Sequence, residues 1–263
     1  MRPATQARDP RSLAPREHGA YGQLFVPLVT ALAMGRPTIG AAALAIAGTA
    51  VFFAHEPALV RMGRRGPRAQ REDGARARSR LSVLGAIALA GGAAAVTSAP
   101  ATAIASAVPL LPAAGVVGWL ALRGDEKTAG GETLAAAVLS GAGVPVAMAA
   151  GVPVSWALGA WVAWVLAFGA STLAVRAVIA HAKTPIASFR RVLPPLFAAL
   201  VALAAIALVP WWCAAAAGPM ILVSLALAIS PPPPRSLRRV GWTLVASSVA
   251  AAVILVAGAR LAA

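Results

Sequence analysis

Long apolar runs, separated by short breaks, account for most of the chain. Nine such runs lie at 20–35, 38–60, 81–98, 101–122, 133–151, 154–180, 192–209, 211–230 and 240–259. Most are close to the ~20 residues that a helix needs to cross the hydrocarbon core of a bilayer. Membrane-spanning strands would be ~10 residues long with alternating polarity, and the runs lack that alternation. We therefore expect an all-α polytopic membrane protein with about nine transmembrane helices.

Two kinds of break separate the runs. The short breaks contain glycine or proline, which interrupt helices, and they lie at 35–37, 98–100, 151–153 and 210–212. The longer breaks are basic and comprise residues 1–18, 61–80, 123–132, 181–191 and 231–239. This pattern predicts a single transmembrane domain, 19–263, which follows an N-terminal arm, 1–18, and contains a basic, solvated loop, 61–80.

The positive charges fall almost entirely on one side of the predicted helices. With the N-terminus inside, 20 of the 23 Lys and Arg residues lie in the five basic segments, and Arg176 adds one more. Only Arg36 and Arg260 fall on the other side. Cytoplasmic loops of membrane proteins accumulate Lys and Arg. We therefore expect a protein of the inner (plasma) membrane, with the N-terminus and the basic loops in the cytoplasm and the C-terminus outside.

Composition narrows the classes of partner. Charged residues make up 12% of the chain, about half of the ~25% usual in soluble domains, so the lipid bilayer is the expected surrounding. The net charge of +15 would indicate nucleic acid in a soluble domain. Here the loop charges explain it, and we expect no nucleic-acid partner. Cys213 is the only cysteine and cannot form an internal disulfide. The sequence indicates no particular cofactor or protein partner.

Polar residues gather where the predicted helices meet the cytoplasm. Charge within a membrane is costly and is frequently functional. The candidate substrate-binding residues are Arg16, Glu17, His18, Tyr21, Arg61, Lys127, Glu132, Arg176 and Lys183. Structural alternatives stay open for several of them. Arg and Lys at helix ends extend toward lipid headgroups, glutamates favour helix N-termini, and a tyrosine can anchor a helix at the interface.

His55 and Glu56 are the candidate catalytic residues. They lie about one turn before the end of the second run, with apolar residues on both sides. A carboxylate at that depth requires a cationic partner, which Arg16 or Arg176 could supply. A structural ion pair remains the alternative to a catalytic role. We expect no metal site, because neighbouring helical residues point ~100° apart and no two histidines are four residues apart.

Two segments resemble the signatures of a known family. Pro15-Arg16-Glu17-His18-Gly19-Ala20-Tyr21-Gly22 is similar to the opening signature of the YwiC-like bacterial membrane proteins, and Phe52-Phe53-Ala54-His55-Glu56-Pro57 is similar to the second. Residues 124–132 and 175–176 fit later polar positions of that family. Tyr21 stands where the family more often has tryptophan. The resemblance brings no established activity with it.

In topology the chain is more distantly similar to the UbiA superfamily of intramembrane prenyltransferases. Those proteins also have nine helices, an internal N-terminus and polar motifs at the cytoplasmic ends of helices 2 and 6. Residues 55–61 and 176–183 occupy those two places here, which implies a UbiA-like helical bundle. The superfamily holds magnesium with Asp-rich motifs, since hard cations prefer carboxylate oxygens. Neither place contains an aspartate here, so the resemblance implies the fold more than the magnesium-dependent transferase reaction.

Three classes of function stay open. The first is the binding or transfer of an isoprenoid, a phospholipid or another anionic amphipathic substrate in a polar cytoplasmic cavity, because arginine grips phosphate. The second is a transporter, for which Pro27, Pro145 and Pro219 offer helix breaks. Transport sites usually lie near the bilayer midplane, where these runs carry no charge. The third is a non-catalytic membrane assembly factor.

Overall fold

The computed structural model describes residues 12–15, 17–181 and 210–263. In these ranges the chain is mostly helical and contains no strand. Its α-helices are α1 (His18–Met34), α2 (Ile39–Arg61), α3 (Pro67–Ser98), α4 (Ala101–Ala107), α5 (Leu110–Arg123), α6 (Ala129–Gly141), α7 (Gly143–Ala149), α8 (Val154–His181), α9 (Trp211–Ile229) and α10 (Leu237–Ala262). Short 3₁₀ turns lie at Asp125–Lys127 and Pro234–Ser236.

Seven stretches of helix in the described residues are long and apolar enough to cross a membrane. They are α2, α3, α4 with α5, α6 with α7, α8, α9 and α10, while α1 is apolar but shorter. The all-α class is therefore confirmed, and the protein is a multi-pass membrane protein. The predicted run 192–209 lies outside the described residues, so the count of nine helices and the orientation stay predictions.

The basic segment after α2 is mostly helical. Residues 67–80, which belong to the segment 61–80 predicted as a solvated basic loop, form the first turns of α3. Pro67 stands at the start of this helix, where its fixed φ favours helix and its missing N–H is not needed. Two ion pairs, Arg68–Glu72 and Asp73–Arg76, then join side chains one turn apart, a spacing that brings them together on a helix surface.

Two predicted runs are each divided into two helices. Run 101–122 divides into α4 and α5 next to Pro109. Run 133–151 starts earlier, directly after Thr128, whose hydroxyl caps α6 by accepting a backbone N–H of its first turn at 3.0 Å. The same run divides into α6 and α7 shortly before Pro145, because the ring and the missing N–H of proline are incompatible with an uninterrupted helix.

The core of the bundle lies around α1, α7, α8 and α9, whose buried apolar side chains form one cluster. Helix α1 contacts α6, α7, α8 and α10, and α9 packs between α8 and α10. Helix α2 pairs with α3 along its length, and α5 packs on α6. Helices α3 and α4–α5 are peripheral, since only 11% and 6% of their apolar spans are buried, against 44% for α8.

The helices define two ends of the bundle. At the end that we call the polar end, α1 and α6 begin and α2 and α8 end; at the closed end, α1, α7 and α10 end and α2 begins. Arg36 and Arg260 both lie at the closed end. Arg260 donates to the carbonyl oxygens of Ala33 and Gly35 at 2.9 Å each, so it satisfies backbone groups where α1 ends.

Candidate functional site

A cavity of about 700 Å³ lies between the helices at the polar end. Side chains of α1, α2, α3, α5, α6 and α8 line it, together with the turns that follow α2 and α5. Its titratable lining residues are Glu17, His55, Glu56, Arg65, Glu126, Lys127 and Glu132. Apolar side chains from four helices, including Phe52, Leu81, Val117 and Leu139, form much of the remaining wall. Three polar clusters that are far apart in sequence therefore meet in one space.

Glu56, which lines this cavity, is almost fully buried, with 1% of its side chain exposed. Arg65 holds both carboxylate oxygens: Nε donates to Oε1 at 2.9 Å and Nη2 donates to Oε2 at 2.6 Å. This bidentate geometry makes Arg–carboxylate pairs strong and specific. The hydrogen bond to Glu56 raises the pKa of Arg65 above its usual value, although burial opposes the change.

A tight turn after α2 brings Arg65 back to Glu56. Gly63 and Gly66 have φ of +73° and +92°, which is the left-handed region that glycine adopts without steric cost. The chain therefore reverses direction within five residues of the end of α2, and Arg65 lies over the last turns of the helix that it has just left. A side chain at either glycine would be strained, so the turn depends on both.

Arg176, one of the two partners predicted for Glu56, pairs with a different carboxylate. Its Nε donates to Glu132 Oε2 at 2.7 Å, and its Nη2 donates to the carbonyl oxygen of Lys127. The side chains of Arg176 and Glu132 are each about one-third exposed, in contrast to Glu56. The contact joins the end of α8 to the start of α6. Arg16, the other predicted partner, lies outside the described residues.

The end of the N-terminal arm packs against the cavity. Leu13 is buried between Val60 of α2 and Ala77 of α3. The Tyr21 hydroxyl donates to the Pro15 carbonyl oxygen at 3.0 Å, and the Tyr21 ring packs among Phe25, Phe52 and Phe53. Pro15 and Glu17 then line the cavity, whereas Tyr21 does not. Tyr21 thus positions the arm and does not face the cavity.

The remaining predicted site residues divide into three groups. His55, Glu56, Glu17, Lys127 and Glu132 line the cavity. Arg61 is exposed and does not line it, and its backbone carbonyl accepts from the Gln70 side chain at 2.8 Å. Lys183 and the side chain of His18 lie outside what the structure describes.

Arg65 and Glu126 line the cavity although neither is among the predicted site residues. Arg65 falls in the segment that the charge pattern assigns to a solvated loop, and this is why the prediction misses it. The sequence signal that identifies it is Gly63-Arg64-Arg65-Gly66, directly after a helix whose last turns contain a carboxylate. Two glycines at this spacing permit a reversal of the chain, and an arginine between them can then contact the helix end.

Both polar and apolar side chains line the cavity. His55 is half-buried and its ring makes no hydrogen bond to any described residue, and the Lys127 side chain is exposed and likewise without such a bond. Glu17 and Glu126 also lack a hydrogen-bond partner within the described ranges. All four residues line the cavity. No group of three His, Cys, Asp or Glu that could hold a metal ion occurs in the described part of the chain.

Comparison with known proteins gives a family but no close relative. No curated protein matches the chain, and no solved structure does. Residues 14–148 match the family described as YwiC-like protein. The match runs from the N-terminal arm through α7, and it includes Glu56, Arg65 and Glu132 of the cavity. It covers just over half of the chain, and the seven apolar helical stretches are consistent with it. The chain therefore belongs to the YwiC-like protein family.

Proposed function

We propose that this protein binds an anionic amphipathic ligand, such as an isoprenoid phosphate or a phospholipid, at the cytoplasmic face of the inner membrane. The observation that carries the proposal is the cavity of about 700 Å³, which joins Arg65, Lys127 and His55 to apolar walls. Ligand sites are typically clefts of ~300–1,000 Å³ with mainly apolar linings and a few convergent polar groups. The cavity fits that description for a ligand with a charged head and an apolar tail.

The cations of the cavity differ in their availability to a headgroup. Arg65 uses Nε and Nη2 for Glu56, and an arginine has five N–H donors in total, so Nη1 can still donate to a phosphate oxygen. The Lys127 ammonium is exposed at the cavity. Glu17 and Glu126 also line it, and carboxylates accept from hydroxyl or ammonium groups. We therefore expect a headgroup that carries a phosphate together with a donor group.

For a transfer reaction on such a ligand, we assign proton transfer to His55. We assign to Glu56 the role of holding Arg65 in position. Both oxygens of Glu56 accept from Arg65, so this carboxylate holds the guanidinium in place. The His55 ring makes no hydrogen bond to a described residue, and histidine is the side chain most often used for proton transfer in catalysis. His55→Ala should then retain bound lipid but lose turnover.

Native mass spectrometry of the detergent-purified protein tests the proposal. The wild type is compared with Lys127→Gln, which removes a cavity cation, and with Arg61→Gln, which removes an exposed cation outside the cavity. The wild type and Arg61→Gln should retain the same co-purifying lipid, and Lys127→Gln should lose most of it. Undecaprenyl phosphate and phosphatidylglycerol are then added as defined probes. A wild type that holds neither probe above a zwitterionic control lipid would refute lipid binding.

Transport is the second candidate, and one observation favours it. The break between α6 and α7 lies in the middle of an apolar span and packs beside Pro27 of α1. Broken helices of this kind form the substrate sites of many transporters. The space at the break is only about 10 Å³, which is the size of one water molecule. The test is the flux of a labelled lipid or solute across proteoliposome membranes. If Pro145→Ala abolishes this flux and leaves lipid retention unchanged, transport is favoured over binding.

A further inference from the structure

We infer that the apolar chain of the ligand passes between the cavity and the bilayer through an opening between α3 and α5, with Gly118 in its wall. This inference rests on the proposed function, because it concerns the tail of the lipid whose head lies at Arg65 and Lys127. It goes beyond that function by naming the route of the chain and the residue, Gly118, whose small size leaves room for it.

The two helices share the cavity but hardly touch each other. Leu81 of α3 lines one side, and Val117, Gly118 and Ala121 of α5 line another. Helix α3 packs along α2 and meets α4, whereas α5 packs on α6 and the turn after it. Among the described helices, α3 and α5 make no substantial contact with one another. The proposed opening lies where these two described helices do not pack against each other.

The outer surfaces beside this opening are suited to lipid. Only 11% of the apolar span of α3 and 6% of that of α4–α5 is buried, compared with 44% for α6–α7. Their exposed side chains include Val83, Ile87 and Val116. In a membrane, such apolar and unburied faces lie against hydrocarbon. The opening between them therefore leads into the bilayer and not into water.

The size of the cavity requires an exit for a long chain. A volume of about 700 Å³ lies within the ~300–1,000 Å³ of sites that enclose a small molecule. Such a volume accommodates a headgroup and the first part of a chain, but not an entire long isoprenoid. The rest of the chain must then leave the cavity, and hydrocarbon is the favourable surrounding for it.

Gly118 leaves the space that such a chain would occupy. Ala114, Gly118 and Ala121 all line the cavity and share one face of α5, because they are four and three residues apart. A Cβ added at Gly118 would meet no atom within 4 Å. The first atom of a side chain added at this position therefore has room, and it lies on the face of α5 that lines the cavity. Gly115, on the same helix, is exposed, does not line the cavity and has the same free space.

The matched variants Gly118→Leu and Gly115→Leu test the inference in lipid nanodiscs. The probes are undecaprenyl phosphate, which has a long chain, and dimethylallyl phosphate, which has the same head but a very short one. Gly118→Leu should weaken binding of the long probe by roughly tenfold or more, as changes of a few methylenes in a pocket do, and leave the short probe unaffected. Gly115→Leu should change neither. Equal effects of Gly118→Leu on both probes, or none on either, would overturn the inference.

A second measurement tests directly whether lipid reaches the cavity at Gly118. A fluorophore on Gly118→Cys, in a Cys213→Ser background, should be quenched by lipids that carry bromine on their acyl chains. Undecaprenyl phosphate should relieve that quenching, and dimethylallyl phosphate should not. A label at this position that brominated lipids fail to quench would show that protein closes the opening, and the inference would fail while headgroup binding stood. A wild type that binds neither probe would instead remove the proposed function, and the inference with it.

Discussion

The two ends of the bundle are held together by different means. At the closed end, the short connection between α1 and α2 bonds directly to backbone carbonyls at the end of α7: Arg36 N–H donates to the Ala150 carbonyl and the Thr38 hydroxyl to the Ala149 carbonyl, each at 2.8 Å. At the polar end, two ion pairs lie at the cavity or beside it: Arg65–Glu56 joins the turn after α2 to that helix, and Arg176–Glu132 joins α8 to α6. Close backbone approach leaves no room for a ligand, whereas charged side chains hold helices together at a distance.

Small residues make the close approach at the closed end feasible. Gly35 lies directly against the backbone of Ala150, and a Cβ at Gly258 would be 2.5 Å from the Trp212 ring. In membranes, small residues at helix interfaces allow tight packing where hydrophobic driving force between helices is weak. On the cavity side of α5, by contrast, small residues border empty space. The same residue types therefore close one end and leave room at the other.

The largest effect that we expect comes from breaking the buried ion pair of the polar end. Arg65→Met should lower the free energy of unfolding by about 3 kcal/mol, the lower part of the range for buried pairs, because Arg65 itself is one-quarter exposed. The free energy of unfolding can be measured with a thiol-reactive dye, because unfolding exposes Cys213, which is buried and is the only cysteine.

Arg64→Met is the matched control for that measurement. Arg64 is the neighbour of Arg65 in the same turn, but it is exposed and does not line the cavity. The Arg64→Met variant should have the same free energy of unfolding as the wild type, because exposed charges contribute little to stability. Equal destabilisation by both variants would contradict the assignment and would indicate that the turn, and not the ion pair, supplies the stability.

The next effect concerns the closed end. Gly258→Ala should destabilise the protein by about 1–3 kcal/mol, the usual cost of overpacking, because the added methyl group would meet the Trp212 ring at 2.5 Å. On the same helix, a Cβ at Gly241 meets no atom within 4 Å. Gly241→Ala should therefore stabilise by roughly 0.5–1 kcal/mol through helix propensity. If the thermal unfolding curves of the two variants coincide, the close packing of α9 on α10 is contradicted.

The closed end could be predicted only in part from the sequence. Apolar runs and their Gly/Pro breaks predict helices well, because hydrophobic length alone distinguishes spans from loops. They miss Pro109 as a break, and they name Pro145 together with Pro27 and Pro219, which lie inside uninterrupted helices, because a proline within an apolar run does not by itself show whether the helix bends or ends. The contact of Gly258 with Trp212 depends on how α9 and α10 pack, which no local pattern contains.

At the polar end, the sequence identified most of the residue types but not their pairing. Charge within apolar runs is rare enough that His55 and Glu56 stand out, and Glu132 stands out at the entry to a run; all three line the cavity. Partner choice depends on tertiary geometry, so the sequence offers Arg16 or Arg176 for Glu56, whereas Arg176 pairs with Glu132 and Arg65 pairs with Glu56. Arg65 was missed because an arginine in a basic run has no distinguishing feature until the Gly63 and Gly66 turn is known.

A smaller effect is expected where the N-terminal arm meets the bundle. Tyr21→Phe removes the hydrogen bond to the Pro15 carbonyl but keeps the ring packing with Phe52. We expect a loss of about 1 kcal/mol, as for a typical hydrogen bond, and faster amide hydrogen exchange in residues 12–17 than in α1. Exchange that rises equally throughout α1 and α2 would show instead that the ring, and not the hydroxyl, has lost its contacts.

The smallest effect should come from the second ion pair of the polar end, and it separates burial from charge as the cause of stability there. Arg176 and Glu132 make a hydrogen bond as short as those of Arg65 and Glu56, at 2.7 Å, yet both are about one-third exposed. Water screens such pairs, so Arg176→Gln should cost less than about 1 kcal/mol, and the loss should shrink further in high salt.

The measurement is the same dye-monitored unfolding at low and high salt. A loss as large as that of Arg65→Met, and independent of salt, would mean that Arg176 acts through its bond to the Lys127 carbonyl, because a backbone contact that joins α8 to α6 does not depend on ionic screening.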